Sequence, residues 1–381
     1  MIRNDVKVRQ ICTIFIAFLP LCKLVSAPAV FSGLCREKLW QPLILYFAAD
    51  ALLLALILLM AKKNPQTAFF DILKREYSEA FARVVFFVYA AFFMIKSFVP
   101  LCEYKYLIEA GFYEVMPQSE VFFPIFLITL FLSVKGLKVF ARCSEFASFV
   151  TCAGLSVIFY LSVGSGDFAN LMPIFGGSEE GVLEATAKNI FWFNDAAYIL
   201  LFLGHFEKEK KMRLKIYLSY AVSAVVTLFF FLCFYSVFYT VAPAQKNALS
   251  TISIFSVTLV NVGRFDFLAL FMLLISAVFA LALPLFAATK CLCRAFKTKR
   301  TLFPGLAVNG AAFIAVIFFS NKLNDIIGFY QVYFAPFMWI CGYLLPFLGL
   351  KGCFKKTELK TPVEKNRKKL KGENGNELQT G

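Results

Sequence analysis

The chain has 381 residues, of which 60% are hydrophobic and only 17% charged, and its mean hydropathy is +0.72. An ordinary soluble domain carries about 25% charged residues, and the weak ten-residue alternation of a membrane barrel is absent, so both classes are excluded. The formal charge of +15 would suit nucleic acid if it formed one patch, but its distribution along the chain argues against that partner.

Apolar runs long enough to cross a bilayer, about 20 residues each, recur along the whole length. Helices are the expected form because lipid offers backbone groups no partners. The predicted spans are 10–34, 41–61, 82–102, 121–141, 145–164, 186–206, 216–241, 264–289, 303–320 and 329–350. The N-terminus, 61–83, 135–142, 207–215, 290–300 and the tail from 351 hold 30 of the 39 Lys and Arg, and the connections on the other side hold 7. Lys23 and Lys96 fall inside spans. This alternation follows the positive-inside rule and predicts a multi-pass protein with both termini in the cytoplasm. The remaining basic excess suits contact with anionic membrane lipid. Residues 10–34 read as a first span, not a cleavable signal peptide. Residues 247–262 read as a short helix at the outer surface. Residues 1–350 form one ten-helix transmembrane domain, and 351–381 a basic, disordered cytoplasmic tail.

Eleven cysteines, mostly within apolar spans, and a single histidine show no zinc or haem spacing. No cofactor or metal is expected. There is no glycine-rich phosphate loop and no paired catalytic carboxylate, so an enzyme is not expected.

Two spans are interrupted by polar residues. Span one reads "ICTIFIAFLPLCKLVSAPAVFSG", with Pro20, Lys23, Ser26 and Pro28 at membrane depth. Proline removes a backbone donor and clashes with the preceding turn. Span six reads "NIFWFNDAAYILLFLGHF", with Asn194 and Asp195 at mid-depth, residue types that favour caps and turns. Breaks five helices apart are the mark of transporters built from two inverted five-helix repeats. Half-helix ends then offer N–H groups to an anion and carbonyls to a cation. Two kinked helices packed in protein remain the alternative.

Several stretches resemble the spore germination permeases. These are the B subunits of Ger-type germinant receptors, within the amino acid/polyamine/organocation superfamily. "NLMPIFGG" at 170–177 resembles the stretch before their sixth helix, "KGLKVFARCSEF" at 135–146 their connection between helices four and five, and "GRFDFLALFMLLISAVF" at 263–279 the start of their eighth. The resemblance covers most of 5–350. It implies an all-α, five-plus-five inverted repeat with helices one and six broken. It also implies a place in the spore inner membrane, a small germinant such as an amino acid, and signalling through receptor A and C subunits. Where relatives carry glycine at the first break, this chain has Pro20, Ser26 and Ala27, with no glycine until Gly33.

Ionisable groups at membrane depth usually pair or serve function. Four stand out: Lys23, Asp50, Lys96 and Asp195. Asp195 is expected either to meet a ligand ammonium or to pair with Lys23. Lys96 is read as snorkelling outward, and Asp50 receives no role. The candidate ligand-binding residues are Pro20, Lys23, Ser26, Ala27, Phe193, Asn194, Asp195 and Tyr198. Phe191 to Phe193 either line a gate or pack at the interface, and Tyr89 is a candidate cavity hydroxyl. Two functions follow: a germinant receptor B subunit, or a secondary transporter of amino acids or similar small cations.

Overall fold

A computed structural model describes residues 6–112, 118–172, 180–205, 209–255 and 265–354. The described residues form helices and no β-strand. In chain order they are α1 (Val8–Leu21), α2 (Ala27–Cys35), α3 (Trp40–Lys63), α4 (Phe69–Glu76), α5 (Glu79–Phe112), α6 (Gln118–Lys135) and α7 (Leu137–Ser165). Then come α8 (Glu180–Lys188), α9 (Ala197–Phe202), α10 (Met212–Phe238), α11 (Ala248–Phe255), α12 (Phe265–Ala295) and α13 (Leu302–Phe319). A last helical run holds α14 (Leu323–Phe329), α15 (Ala335–Trp339) and α16 (Lys351–Phe354), separated by wider turns at Tyr330–Phe334 and Ile340–Leu344. The tail expected to be disordered lies mostly in residues 355–381, outside the described residues.

Six stretches among the described residues are long and apolar enough to cross a membrane: Trp40–Lys63, Glu79–Glu109, Leu137–Ser165, Met212–Ala244, Leu268–Ala295 and Leu302–Leu350. Val8–Leu21, Phe122–Lys135 and Ile190–Phe202 are apolar but shorter. Two of these short ones are the pieces on which the interrupted spans were predicted. Phe149, Tyr160 and Phe318 are each 76% exposed, a degree of apolar exposure that suits lipid rather than water. The interior is centred on α12, which packs on α5, α7, α6 and α1.

Polar side chains tie these apolar helices together, as hydrogen bonds do where lipid gives no hydrophobic drive to associate. Thr129 of α6 donates to the Asn309 side chain of α13 at 2.9 Å. Glu145, within the "KGLKVFARCSEF" stretch, pairs with Arg9 at 2.8 Å and so anchors the start of α1 on α7.

Three expectations are corrected. Helix α5 does not end near residue 102 but continues to Phe112, carrying Glu103 and Lys105 inside the protein at 0% and 1% exposure. Hydropathy ends a span at charges, and here the charges are met by other helices. Lys96 does not snorkel: it is buried and faces Asp195. Helix α11 does not lie on the surface: Ala248, Leu249, Ile252 and Ser253 are buried, and the helix packs on α2, α7 and α12. The rest of the predicted 247–262 helix lies outside the described residues.

Gly204 ends the α9 segment at φ +87°, and a Cβ there would stand 2.6 Å from the Ala68 backbone nitrogen. Left-handed backbone and close approach both require glycine. Gly204→Ala should cost about 1–3 kcal/mol or more, read as a lower melting temperature in detergent. Gly310→Ala in α13, where a Cβ would meet nothing within 4 Å, should be neutral or stabilising by about 0.5–1 kcal/mol.

Candidate ligand site at two helix breaks

The first break is built around Pro20. Helix α1 stops at Leu21, the Lys23 amide bonds back to the Pro20 carbonyl at 2.8 Å, and α2 starts at Ala27 with Ser26 before it. A broken helix leaves carbonyls with no intrahelical donor, and three near this break take donors from side chains or from another helix. The Lys23 ammonium donates to the Leu19 carbonyl at 2.7 Å, the Tyr104 hydroxyl to Leu21 at 2.9 Å, and the Ala248 amide of α11 to Val25 at 2.8 Å.

The second break lies between α8 and α9. A single tight turn, Ile190–Trp192, leads to Phe193 and then to Asn194 at φ +64°. Asparagine tolerates this left-handed backbone better than most residues. Its amide donates to the Met338 carbonyl at 2.9 Å. Gly342 makes room for it: a Cβ on Gly342 would lie 2.4 Å from the Asn194 side-chain carbon. Phe193 stacks on Tyr46 with ring centroids 4.1 Å apart.

The breaks meet through buried charge. Lys23 Nζ lies 2.5 Å from Asp195 Oδ2, and Lys96 Nζ lies 3.4 Å from Asp195 Oδ1. Asp50 stands behind Asp195: one of its oxygens accepts the Asp195 backbone N–H at 2.9 Å and the Tyr220 hydroxyl at 3.3 Å, the other the Tyr343 hydroxyl at 2.9 Å. The Lys23 ammonium also sits 5.6 Å from the Phe193 ring centre, and Lys96 5.7 Å from that of Tyr198. Tyr198 in turn stacks on Phe93 at 5.1 Å.

A second junction joins the breaks on another side. Glu103 of α5 accepts from the Ser26 hydroxyl, and from the Trp192 indole N–H at 2.9 Å, on the same oxygen. Its other oxygen has no partner among the described residues.

The structure therefore brings Lys23, Phe193, Asp195 and Tyr198 into one cluster and puts Ser26 in a separate contact with Glu103. Pro20 contributes through its backbone carbonyl and by ending α1. Ala27 is buried at the first position of α2, and Asn194 holds the second break in place. Tyr89 is buried, and its hydroxyl has no partner among the described residues. Sequence reasoning missed Glu103 and left Asp50 and Lys96 without their roles. A signal existed: Glu103 follows Lys96 by seven residues, two helical turns on one face, and was lost by ending the span at 102.

The space left between these groups is small. A cavity of about 10 Å³ is lined by Phe18, Leu19, Cys22, Lys96, Trp192 and Asp195 among others, room for about one water. A wider cavity of about 430 Å³ lies between α4, the starts of α5 and α7, and the end of α12, reaching Leu200 and Leu201 of α9. Its lining is mostly apolar and basic and includes none of the break residues. Among the described residues no group of His, Cys, Asp and Glu is placed to hold a metal.

Discontinuous helices occur in transporter folds, and comparison with known proteins points the same way. Residues 7–326 match the spore permease family of spore germination proteins. The chain belongs to that family. Its members are transport and receptor proteins rather than enzymes, and this one is an integral, multi-pass membrane protein. No curated protein matches it in sequence. Its fold is similar to that of Mhp1, a nucleobase-cation-symport-1 family transporter, solved in a closed conformation with bromovinylhydantoin bound. The TM-score is 0.58 at 12% identity, over 95% of this chain and 96% of that one. Identity that low speaks for the fold alone.

Removing one partner of a buried ion pair strands the other. Lys23→Met should therefore destabilise this spore permease by about 3–5 kcal/mol, and Lys23→Met with Asp195→Asn should recover most of that loss in a double-mutant thermal-melting cycle. Gly342→Ala should cost about 1–3 kcal/mol by crowding Asn194, and adding Asn194→Gly, which accepts the positive φ, should restore part of it.

Proposed function

We propose that the protein is the B subunit of a spore germinant receptor, which binds a small ligand, an amino acid or a close relative, between its two broken helices. In this reading the chain crosses the spore inner membrane ten times, as two inverted five-helix repeats with both ends in the cytoplasm. It performs no chemistry. Ligand shifts the population between closed and open forms, and the receptor's A and C subunits read the shift. Residues 1–350 are the working domain, and the tail from 351 lies in the cytoplasm.

The observation that carries this reading is the Lys23–Asp195 pair at 2.5 Å, placed where the two breaks meet with Lys96 beside it. Buried charges at such a junction are costly to keep, and a ligand site gives them a purpose. With room for about one water, the cluster must loosen to admit a ligand, which couples occupancy to shape.

A secondary transporter is the second reading. It is favoured by the likeness of the fold to a transporter solved with a small molecule bound. The two differ in whether the ligand crosses the membrane.

The test is thermal melting of the detergent-purified protein against amino acids, nucleosides and sugars. A ligand that binds the folded state at 100 times its Kd should raise the melting temperature by about 3 °C. Asp195→Asn should abolish that rise. A rise that survives Asp195→Asn would place the site elsewhere. Uptake of the stabilising compound into liposomes would establish the transporter. Absence of uptake, with co-purification of A and C subunits, would establish the receptor.

A further inference from the structure

We propose that the wider cavity, at the basic end of the bundle, is a binding site for an anionic membrane lipid. This site is separate from the helix breaks and does not rest on the ligand-binding reading above.

The cavity has a volume of about 430 Å³, within the range of sites that hold small organic molecules. Its walls divide by chemistry. Phe69 and Phe70 of α4, Phe86 of α5, Leu200 of α9 and Phe286 of α12 are buried and form the apolar part. Lys290, Arg294, Lys297 and Lys299 bring the charge, and among the described residues no Asp or Glu joins them in the lining. Phe286, Lys290 and Arg294 follow one another at four-residue steps, so one face of α12 passes from apolar to basic toward its end.

Only part of this charge is answered within the protein. Lys297 pairs with Glu79, which also takes Lys74 at 2.7 Å and Arg83 at 2.5 Å. Lys290, Arg294 and Lys299 have no acidic partner among the described residues. Lys290 lies 5.2 Å from the Phe286 ring centre, and Arg294 5.9 Å from that of Phe70. Like charges one helical turn apart repel one another, and an anion placed between Lys290 and Arg294 removes that repulsion.

A free anion would answer the charges and leave the apolar walls in water. An uncharged apolar molecule would do the reverse. An anionic lipid answers both, with its phosphate on Lys290 and Arg294 and part of an acyl chain along the phenylalanines. The surroundings supply such a molecule. Phe87 and Phe296, the chain neighbours of Phe86 and Lys297, are 53% and 65% exposed and meet edge to face at 6.2 Å. Rings this exposed suit lipid, so the cavity adjoins a lipid-facing surface. Its lining draws on the basic connections 61–83, 135–142 and 290–300. That is the end expected to face the cytoplasm, where basic pockets between membrane helices meet acidic headgroups.

The experiment uses the full chain, stripped of lipid in a neutral detergent. It is titrated with phosphatidylglycerol, with phosphatidylcholine of the same acyl chains, or with glycerol 3-phosphate. Thermal melting and native mass spectrometry are the readouts. Phosphatidylglycerol at 100 times its Kd should raise the melting temperature by about 3 °C and stay bound in the mass spectrum, and the other two probes should do neither. Lys290→Gln with Arg294→Gln should raise the apparent Kd at least about 10-fold. Its lipid-free melting temperature should equal that of the wild type, because no acidic partner is stranded. Arg294→Gln alone, at an exposed position, should weaken binding by about 5-fold. A charge-matched control, Lys62→Gln with Arg213→Gln, changes exposed residues outside the lining and should bind as the wild type does. The assignment is overturned if phosphatidylcholine stabilises as well, the mark of a site indifferent to charge. It is overturned too if glycerol 3-phosphate alone gives the full shift, the mark of a free-anion site. Retention of phosphatidylglycerol by both Arg294 variants at wild-type strength would also overturn it, as would an equal loss in the control, the mark of diffuse surface attraction.

Discussion

A helix that stops inside a bilayer leaves backbone groups that lipid cannot satisfy, and most of this structure's interior follows from that requirement. The chain is interrupted after Leu21 and again around Phe193 and Asn194. The carbonyls of Leu19, Leu21 and Val25 take an ammonium from Lys23, a hydroxyl from Tyr104 and an amide from α11. The amide of Asp195 goes to Asp50 on α3. Three other segments, α3, α5 and α11, are therefore bound to the broken helices by polar bonds as well as by packing.

The charges follow from the same constraint. The first break carries Pro20, Ser26 and Ala27, with no glycine until Gly33, and the chain's own side chains take up the exposed ends. Lys23 puts a positive charge on the carbonyl end of α1, and Glu103 reaches the hydroxyl of Ser26 at the start of α2. Between them they supply an ammonium and a carboxyl group to the ends of one broken helix. This internal occupation accounts for how little space remains at the junction. Lys23 with Asp195, and Glu103 with Trp192, each join the two breaks.

Aromatic residues pack around this polar centre. Tyr46 stacks on Phe193, and Tyr198 stacks on Phe93, with Lys23 and Lys96 near the faces of Phe193 and Tyr198. A cation over an aromatic face is stabilised even where solvent is absent. Low local polarity strengthens every pair in the cluster and raises the cost of opening it. Membership of the spore permease family and a transporter-like fold give this charged junction its biological setting.

What the amino-acid sequence determined by itself is what depends on composition and local pattern. Apolar runs of membrane length, the alternation of Lys and Arg, and Pro20, Asn194 and Asp195 inside such runs were enough to read a multi-pass helical protein broken in two places. These signals are local, because lipid acts on each segment separately. The partnerships of the buried charges were decided only by the tertiary structure. Glu103 and Lys105 look like solvent-facing residues until α5 is seen to continue past them, and Lys96 looks like a snorkelling lysine until Asp195 is brought to its side. Asp50 has no visible task until the backbone of a helix 145 residues away presents an N–H to it. A charge in a membrane is tolerated according to what faces it from other helices, and no local pattern records which residues those are.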